Sequence, residues 1–451
     1  MSLPQIISDK TQYRLNPLNA ILGLARCSLQ SKRKMEILKK ASRIFFLLIS
    51  INCIAQSRYN IIYEEQLGMN FASENLVSIY HAYDFLDSII VPKEIFLNDD
   101  RISKFGKSFY RLNKLFWFNY LVNDYTHTMN HERFGHGYRA IDNGAEIIRI
   151  VYGAPPPFGA EYSFIEWDNP TSITLQQNIL NTIGGSEVGL VTSDIIRKNI
   201  LLDERLTYNF ALPYLYTSND LPGYTAFSPG GGDPPMYVGY LNTYNFLANY
   251  PMVSHYISYI TLKKLQKYSY IALFLDPLNF YALKSAFYDY LILGKHSTKI
   301  GMIQLSDRIK YLPRFRMEYT PYGPELVIQN YFKLDKKLFQ LSYSFSDGTF
   351  EPSRRVLANI WNIKARKNFS FNLSGQIWEQ PSIDYYIGDN LSRSKGLGGQ
   401  VVTVTNYDFI SDNQTLGLTM HIGYKTNGFS LGEQIDQGAI IRGGLTFRLG
   451  N

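Results

Sequence analysis

From about residue 312 onward, hydrophobic positions recur every second residue. In TLGLTMHIGY, Leu416, Leu418, Met420, Ile422 and Tyr424 share one face, and Thr415, Gly417, Thr419, His421 and Gly423 share the other. FQLSYSFS sets Phe339, Leu341, Tyr343 and Phe345 against Gln340, Ser342, Ser344 and Ser346. RFRMEY does the same with Phe315, Met317 and Tyr319, NFSFNLSGQIW with Phe369, Phe371, Leu373 and Ile377, and the last stretch with Leu445, Phe447 and Leu449. Successive side chains of a strand point to opposite faces, so each segment predicts a two-faced strand. About eight such strands fit between residues 312 and 449, each long enough to cross a bilayer when tilted.

The middle of the chain lacks this period. Around ISKFGKSFYRLNKLFWFNYLVNDY, apolar residues fall at helical spacing (Phe109, Leu112, Leu115, Phe116, Tyr120). MYVGYLNTYNFLANYPMVSHYISYITLKKL and PLNFYALKSAFYDYLILG predict further helices, the first bent or broken at Pro251. EIIRIVYGAPPPFGAEYSFIEW, residues 146–167, predicts two short strands around a Pro/Gly turn, candidates for joining the later sheet. SPGGGDPP (228–235) reads as a mobile loop near a site, and GGSE (184–187) as a turn. The fold class expected is α+β. A helix-rich region over 56–305 precedes an antiparallel β-barrel, or partial barrel, of about eight or more amphipathic strands over 306–451.

The start of the chain changes how charge is read. Lys39, Lys40 and Arg43 precede the apolar run Ile44–Ile54, and Ala55 is suited to cleavage. That is the layout of a signal peptide over 35–55, with 1–34 an upstream segment outside the expressed protein. A membrane-anchored helix is the other reading of the same run. Residues 1–55 hold nine basic and two acidic side chains, an excess equal to the +7 of the whole chain, so residues 56–451 are neutral. A neutral mature chain has no global attraction for phosphates, and nucleic acid is not an expected partner. Both cysteines, Cys27 and Cys53, precede the cut, so the exported chain stands without disulfides. Its 35 Tyr and 28 Phe suit either a membrane-interface girdle or a large aromatic core.

Alternation, a polar second face and missing thiols together resemble bacterial outer-membrane β-barrels over the last 140 or so residues. The final FRLGN departs from that family, which usually closes on an aromatic residue. The resemblance implies export to the outer membrane of a Gram-negative-type envelope, with lipid as a partner. A soluble antiparallel sandwich in the periplasm is the alternative, since it also alternates.

HTMNHERFGHG (127–137) gathers three of the seven histidines and a glutamate. His131, Glu132 and His136 make H-E-x-x-x-H, similar to the zincin metallopeptidase motif H-E-x-x-H but one residue longer. On an ideal helix, five residues turn about 500°, which sets His136 about 140° from His131. A π-bulge would absorb the extra residue, and Gly135 is where it would cost least. Without distortion, His127 and His131 form an i, i+4 pair with Asp124 one turn earlier, and Glu132 and His136 form another.

The zincin resemblance implies His131 and His136 as zinc ligands and Glu132 as the general base taking a proton from metal-activated water. It also implies a third ligand downstream, for which Glu187 in NTIGGSEVGLVTSDII is the candidate. Glu146 and His255 are weaker ones. Glu187 reads equally as an N-terminal-turn glutamate, and the whole cluster as a polar helix face. Three functions stay open: a zinc-dependent hydrolase acting on a peptide or other polar substrate, a non-catalytic structural or transport barrel, and a soluble periplasmic binding protein.

Overall fold

The computed structural model describes residues 58–90, 101–155, 157–159, 162–169, 173–228, 230–249, 260–346, 352–387, 390–411 and 415–448. The expected signal peptide, Pro251 and His255 lie outside these residues.

The alternating third forms eight successive strands: β7 (Ile309–Thr320), β8 (Gly323–Leu334), β9 (Lys337–Ser346), β10 (Arg354–Arg366), β11 (Phe369–Ile387), β12 (Asn390–Ser411), β13 (Thr415–Lys425) and β14 (Gly438–Arg448). Each pairs antiparallel with the next. Two short strands from the first part of the chain extend this meander, β1 (Tyr59–Tyr63) beside β14 and β6 (Ile303–Gln304) beside β7. The result is a ten-stranded antiparallel sheet whose end strands, β1 and β6, are not paired with each other, so the sheet is not closed. Because β1 belongs to it, the expected division at 305/306 does not separate helices from sheet.

The two faces of the sheet are inverted relative to a sheet that packs an oily side inward. On β13, Leu418, Met420, Ile422 and Tyr424 are 46–50% exposed, whereas Thr419, His421 and Lys425 are buried. The same holds for exposed Ile328, Leu341, Tyr343, Val356, Ile377, Val401, Ile441 and Leu445. Buried on the opposite face lie Arg316, Glu318, Glu325, Gln329, Arg355, Gln376 and Arg442. These charges are matched. Arg355 reaches Glu325 at 3.0 Å and also pairs with Glu318, and Arg442 meets Glu433 at 2.7 Å and Glu64 at 3.0 Å. Such pairing is what makes buried charge tolerable.

Helices occupy this polar side. They are α1 (Met69–Ile90), α2 over 101–142, α3 (Leu175–Asp203), α4 (Tyr208–Phe227), α5 (Asp233–Asn249), α6 (Leu262–Phe274) and α7 over 277–292. Among the described residues, no helix is long and apolar enough to cross a membrane. Helix α3 is the axis of the molecule. A capping box between Thr174 and Gln177 starts it. At its far end Lys333 Nζ donates to the carbonyls of Leu201 (3.0 Å) and Leu202 (2.6 Å), which have no partner within the helix. GGSE is therefore not a turn: Gly184 and Gly185 lie inside a continuous 29-residue helix. Asp194 of α3 binds Arg316 of β7 at 2.7 Å, and Ile196, Ile200 and Leu201 join Leu76, Phe210, Leu312 and Leu338 in one apolar core. A second core joins Ile179, Ile183, Leu221 and Tyr237 to Met317, Tyr319 and Phe429.

The expected hairpin forms from β2 (Glu146–Val151) and β3 (Phe164–Asp168), but it does not join the large sheet. It packs instead against the end of α2 and walls the site described next. One further small pair, β4 (Arg205–Thr207) with β5 (Ser297–Lys299), ties the start of α4 to the end of α7.

Candidate metal centre

Helix α2 departs from α geometry twice, at Leu115–Tyr120 and at Asn130–His136, both π-helical. The second departure contains HERFGH. Gly137 N–H bonds back to the Glu132 carbonyl, an i→i+5 contact. That wider register draws residues five apart onto a common face, which an undistorted helix cannot do. A close helix crossing accompanies it. A Cβ at Gly135 would stand 2.6 Å from the Gly184 carbonyl oxygen, and one at Gly185 only 2.3 Å from His131 Nε2. Backbone meets backbone here, and the glycine at 185 leaves the room taken by the His131 ring.

With the extra residue absorbed, His131 Nε2 and His136 Nε2 lie 3.2 Å apart. A third atom completes a triangle: Asp233 Oδ2 is 3.6 Å from His131 Nε2 and 3.2 Å from His136 Nε2. An ion bound tetrahedrally at about 2.0–2.1 Å has ligand–ligand edges of about 3.4 Å, so the three atoms already have the spacing of one coordination face. Each histidine is also oriented from behind. His131 Nδ1 faces Asp220 Oδ2 at 3.1 Å, and His136 Nδ1 faces the Asn181 carbonyl at 2.7 Å. Acceptors at both Nδ1 atoms keep the protons there and leave both Nε2 lone pairs free for a cation, the usual outer-shell arrangement of metal-bound histidine.

Electrostatics agree with a cation site. Burial lowers the pKa of His131, but the Asp220 carboxylate, together with Asp233 and Glu132, outweighs this and leaves it well above the ordinary histidine value. His136 is raised in the same way, burial being outweighed by Asp233. Burial raises Asp220 and Asp233, yet the neighbouring histidines hold both far below the usual carboxylate range. The carboxylates that would attract a cation thus also favour protons on the two histidines, with which a metal competes.

The residues named from sequence divide. His131 and His136 come together, and Glu132, buried, lines the same cavity of about 500 Å³. His127 does not join them directly. Its Nε2 meets the other oxygen of Asp220 at 3.4 Å, making a second possible group, His127–His131–Asp220, which shares His131. Glu187 lies elsewhere, with both oxygens engaged: Arg139 Nε donates at 2.8 Å and the Gly432 backbone N–H at 2.7 Å. The reason is helical phase. Gly185 faces His131, and two residues later the helix has turned about 200°. Glu146 is exposed on β2, outside the cavity.

Asp233 and Asp220 were not found from the sequence. Asp233 had a local signal: Gly230 and Gly232 sit at φ +106° and +82°, and the helix begins at Asp233 followed by two prolines. GGGDPP is thus a loop that delivers a carboxylate at a helix start. Asp220, inside α4, had none. Tyr224, one turn on, accepts from Asp233 N–H at 3.3 Å and lines the cavity with Thr128, Phe164, Ile165, Trp167 and Met236.

The fold is thus an antiparallel sheet with an apolar exposed face, and the helices on its polar side bring two histidines and one carboxylate together. Comparison with protein-family models, with curated proteins and with solved structures finds no match.

Proposed function

We propose that this protein is an outer-membrane metallohydrolase, its sheet embedded in lipid as a barrel-like wall and its helices carrying a zinc site that cleaves a neutral amide or ester bond, most simply a peptide. The observation that carries the reading is the triangle of His131 Nε2, His136 Nε2 and Asp233 Oδ2, with edges of 3.2–3.6 Å and an acceptor behind each imidazole. A purely structural or transport role gives no reason for that arrangement. Two nitrogens and one carboxylate oxygen form a set suited to zinc with a position left open for water or substrate. A bound ion would polarise the scissile carbonyl and make water a better nucleophile at neutral pH.

The chain's own residues supply the rest. Glu132 takes the proton of the attacking water and returns it to the leaving group. Asp220 and the Asn181 carbonyl fix the two imidazoles. The described cavity lining holds the carboxylates of Glu132, Asp220 and Asp233 and no Lys or Arg, which disfavours anionic phosphate esters, while Phe164, Ile165, Trp167 and Met236 offer an apolar wall to a neighbouring side chain. The lipid reading rests on the half-exposed apolar face of β8–β14, the opposite of what a soluble periplasmic sheet presents.

Metal analysis of the purified protein tests the proposal. Wild type should hold a stoichiometric divalent ion, and His136→Ala or Asp233→Ala should abolish it. His127→Ala should retain it, and Glu132→Gln should keep the ion but lose peptide hydrolysis. Wild type without a stoichiometric ion after dialysis against zinc overturns the reading.

A further inference from the structure

The sheet is a meander, so its strand ends fall into two groups. At one end lie the short β8–β9, β10–β11 and β12–β13 connections, spanning 335–336, 367–368 and 412–414. The chain also enters and leaves the sheet there, since Tyr59 at the start of β1 pairs with Phe447 near the end of β14. At the other end are 347–353, the twelve residues 426–437, the two-residue β7–β8 connection 321–322, and the projecting halves of β11 and β12, paired as far as Ile387 and Asn390 and joined by two residues.

The metal centre belongs to this second end. Arg139, three residues past His136, donates to the Glu433 carbonyl at 2.9 Å. Thr225 and Tyr237, flanking Asp233, bond Tyr319 OH (2.8 Å) and the Thr320 carbonyl (3.0 Å) at the β7–β8 turn. Helix α3 gives the depth. It starts beside Ser382, whose carbonyl accepts from Gln176 at 2.6 Å, and finishes on Lys333 next to the short 335–336 turn. His131 packs on Gly185, in the first half of that helix.

Resting on the membrane-embedded hydrolase reading above, we infer that the metal centre opens on the side of the outer membrane opposite the points where the chain enters and leaves the sheet, the cell exterior, and that its substrates are peptides or proteins met outside the cell. In outer-membrane barrels the short turns face the periplasm and the long connections face outward. Here the β8–β9, β10–β11 and β12–β13 connections at one end are each two or three residues long, whereas both long connections, 347–353 and 426–437, lie at the other end with the site, beside the two-residue β7–β8 and β11–β12 connections. A substrate need not then cross the membrane to be cut.

Residues 56–451 contain no cysteine, so single cysteines placed among them report position cleanly. Gln437→Cys places one at the site end and Lys367→Cys one in a short turn, both at exposed positions. Intact cells are treated with a membrane-impermeant maleimide. Gln437→Cys should label to nearly the level reached in permeabilised cells, and Lys367→Cys only after permeabilisation. The reverse pattern overturns the inference, as does protection of both until lysis or labelling of both beforehand. Metal content of the purified Gln437→Cys protein separates the two readings. Outward labelling without an ion keeps this orientation and sinks the hydrolase. An ion with inward labelling does the opposite.

Discussion

Strand β13 and helix α3 use apolar residues in opposite ways. In α3 nearly every position is buried, and Ile179, Ile183, Val188, Ile196 and Ile200 pack against helices, strands and loops. In β13 the apolar residues are the half-exposed ones, and it is Thr419, His421 and Lys425 that are buried. One molecule thus contains a core built by excluding water and a face from which water would have to be excluded by something else. Alternation in the sequence reveals that a strand has two faces, but not which of them is inside. That choice is made by what covers the polar face, here the ion-paired helices.

The sharpest way to break this contrast is to place a charge on the bare face. Leu418→Arg should cost roughly 2–4 kcal/mol if that position meets the bilayer centre. Folding into lipid vesicles, followed by urea titration, measures it. A cost near zero would mean that β13 faces water and that the apolar side of the sheet has another explanation. Helix α3 should respond to a much smaller change. Gly185→Ala adds one methyl group where a Cβ would meet His131 Nε2 at 2.3 Å, and overpacking of this kind costs about 1–3 kcal/mol. It should also lower metal affinity, because the ring that moves is a ligand. Gly239→Ala in α5 is the control: nothing lies within 4 Å of the added group, and removing a helical glycine should stabilise by about 0.4–1 kcal/mol. Equal effects at the two glycines would show that the helix crossing does not set the position of His131.

How much could be read beforehand follows the same division. The eight long strands and the helical middle were legible because period two and period 3.6 are local properties. The HERFGH irregularity was legible as well: a histidine pair five apart beside Gly135 specifies where a π-turn would be useful, and a π-helical segment lies there. What was not legible depends on contacts between distant segments. Asp233 is about a hundred residues from His136 and reaches it only because α5 starts at the site. Glu187 has a suitable side chain in a suitable helix, but two residues of helical phase turn it to Arg139. β1 is only five residues long, and its pairing with β14 joins nearly opposite ends of the chain.

A narrower test probes the carboxylate behind the histidine. Asp220→Asn keeps size and shape but removes the charge that makes His131 a more basic ligand, and losing such a partner typically weakens metal affinity by about 10–100-fold. Competition with a chelator at neutral pH measures this. The pH dependence then distinguishes an electrostatic role from a merely structural one. In the wild type, Asp220 raises the His131 pKa, so protons compete with the metal up to a higher pH than at an ordinary histidine. In the Asn variant His131 takes up its proton only at lower pH. As the solution is acidified, the wild type therefore loses affinity first, and the gap between the two proteins should narrow. A gap that stays constant across that range would mean that Asp220 only fills space, and that the ion, if held, is held without it.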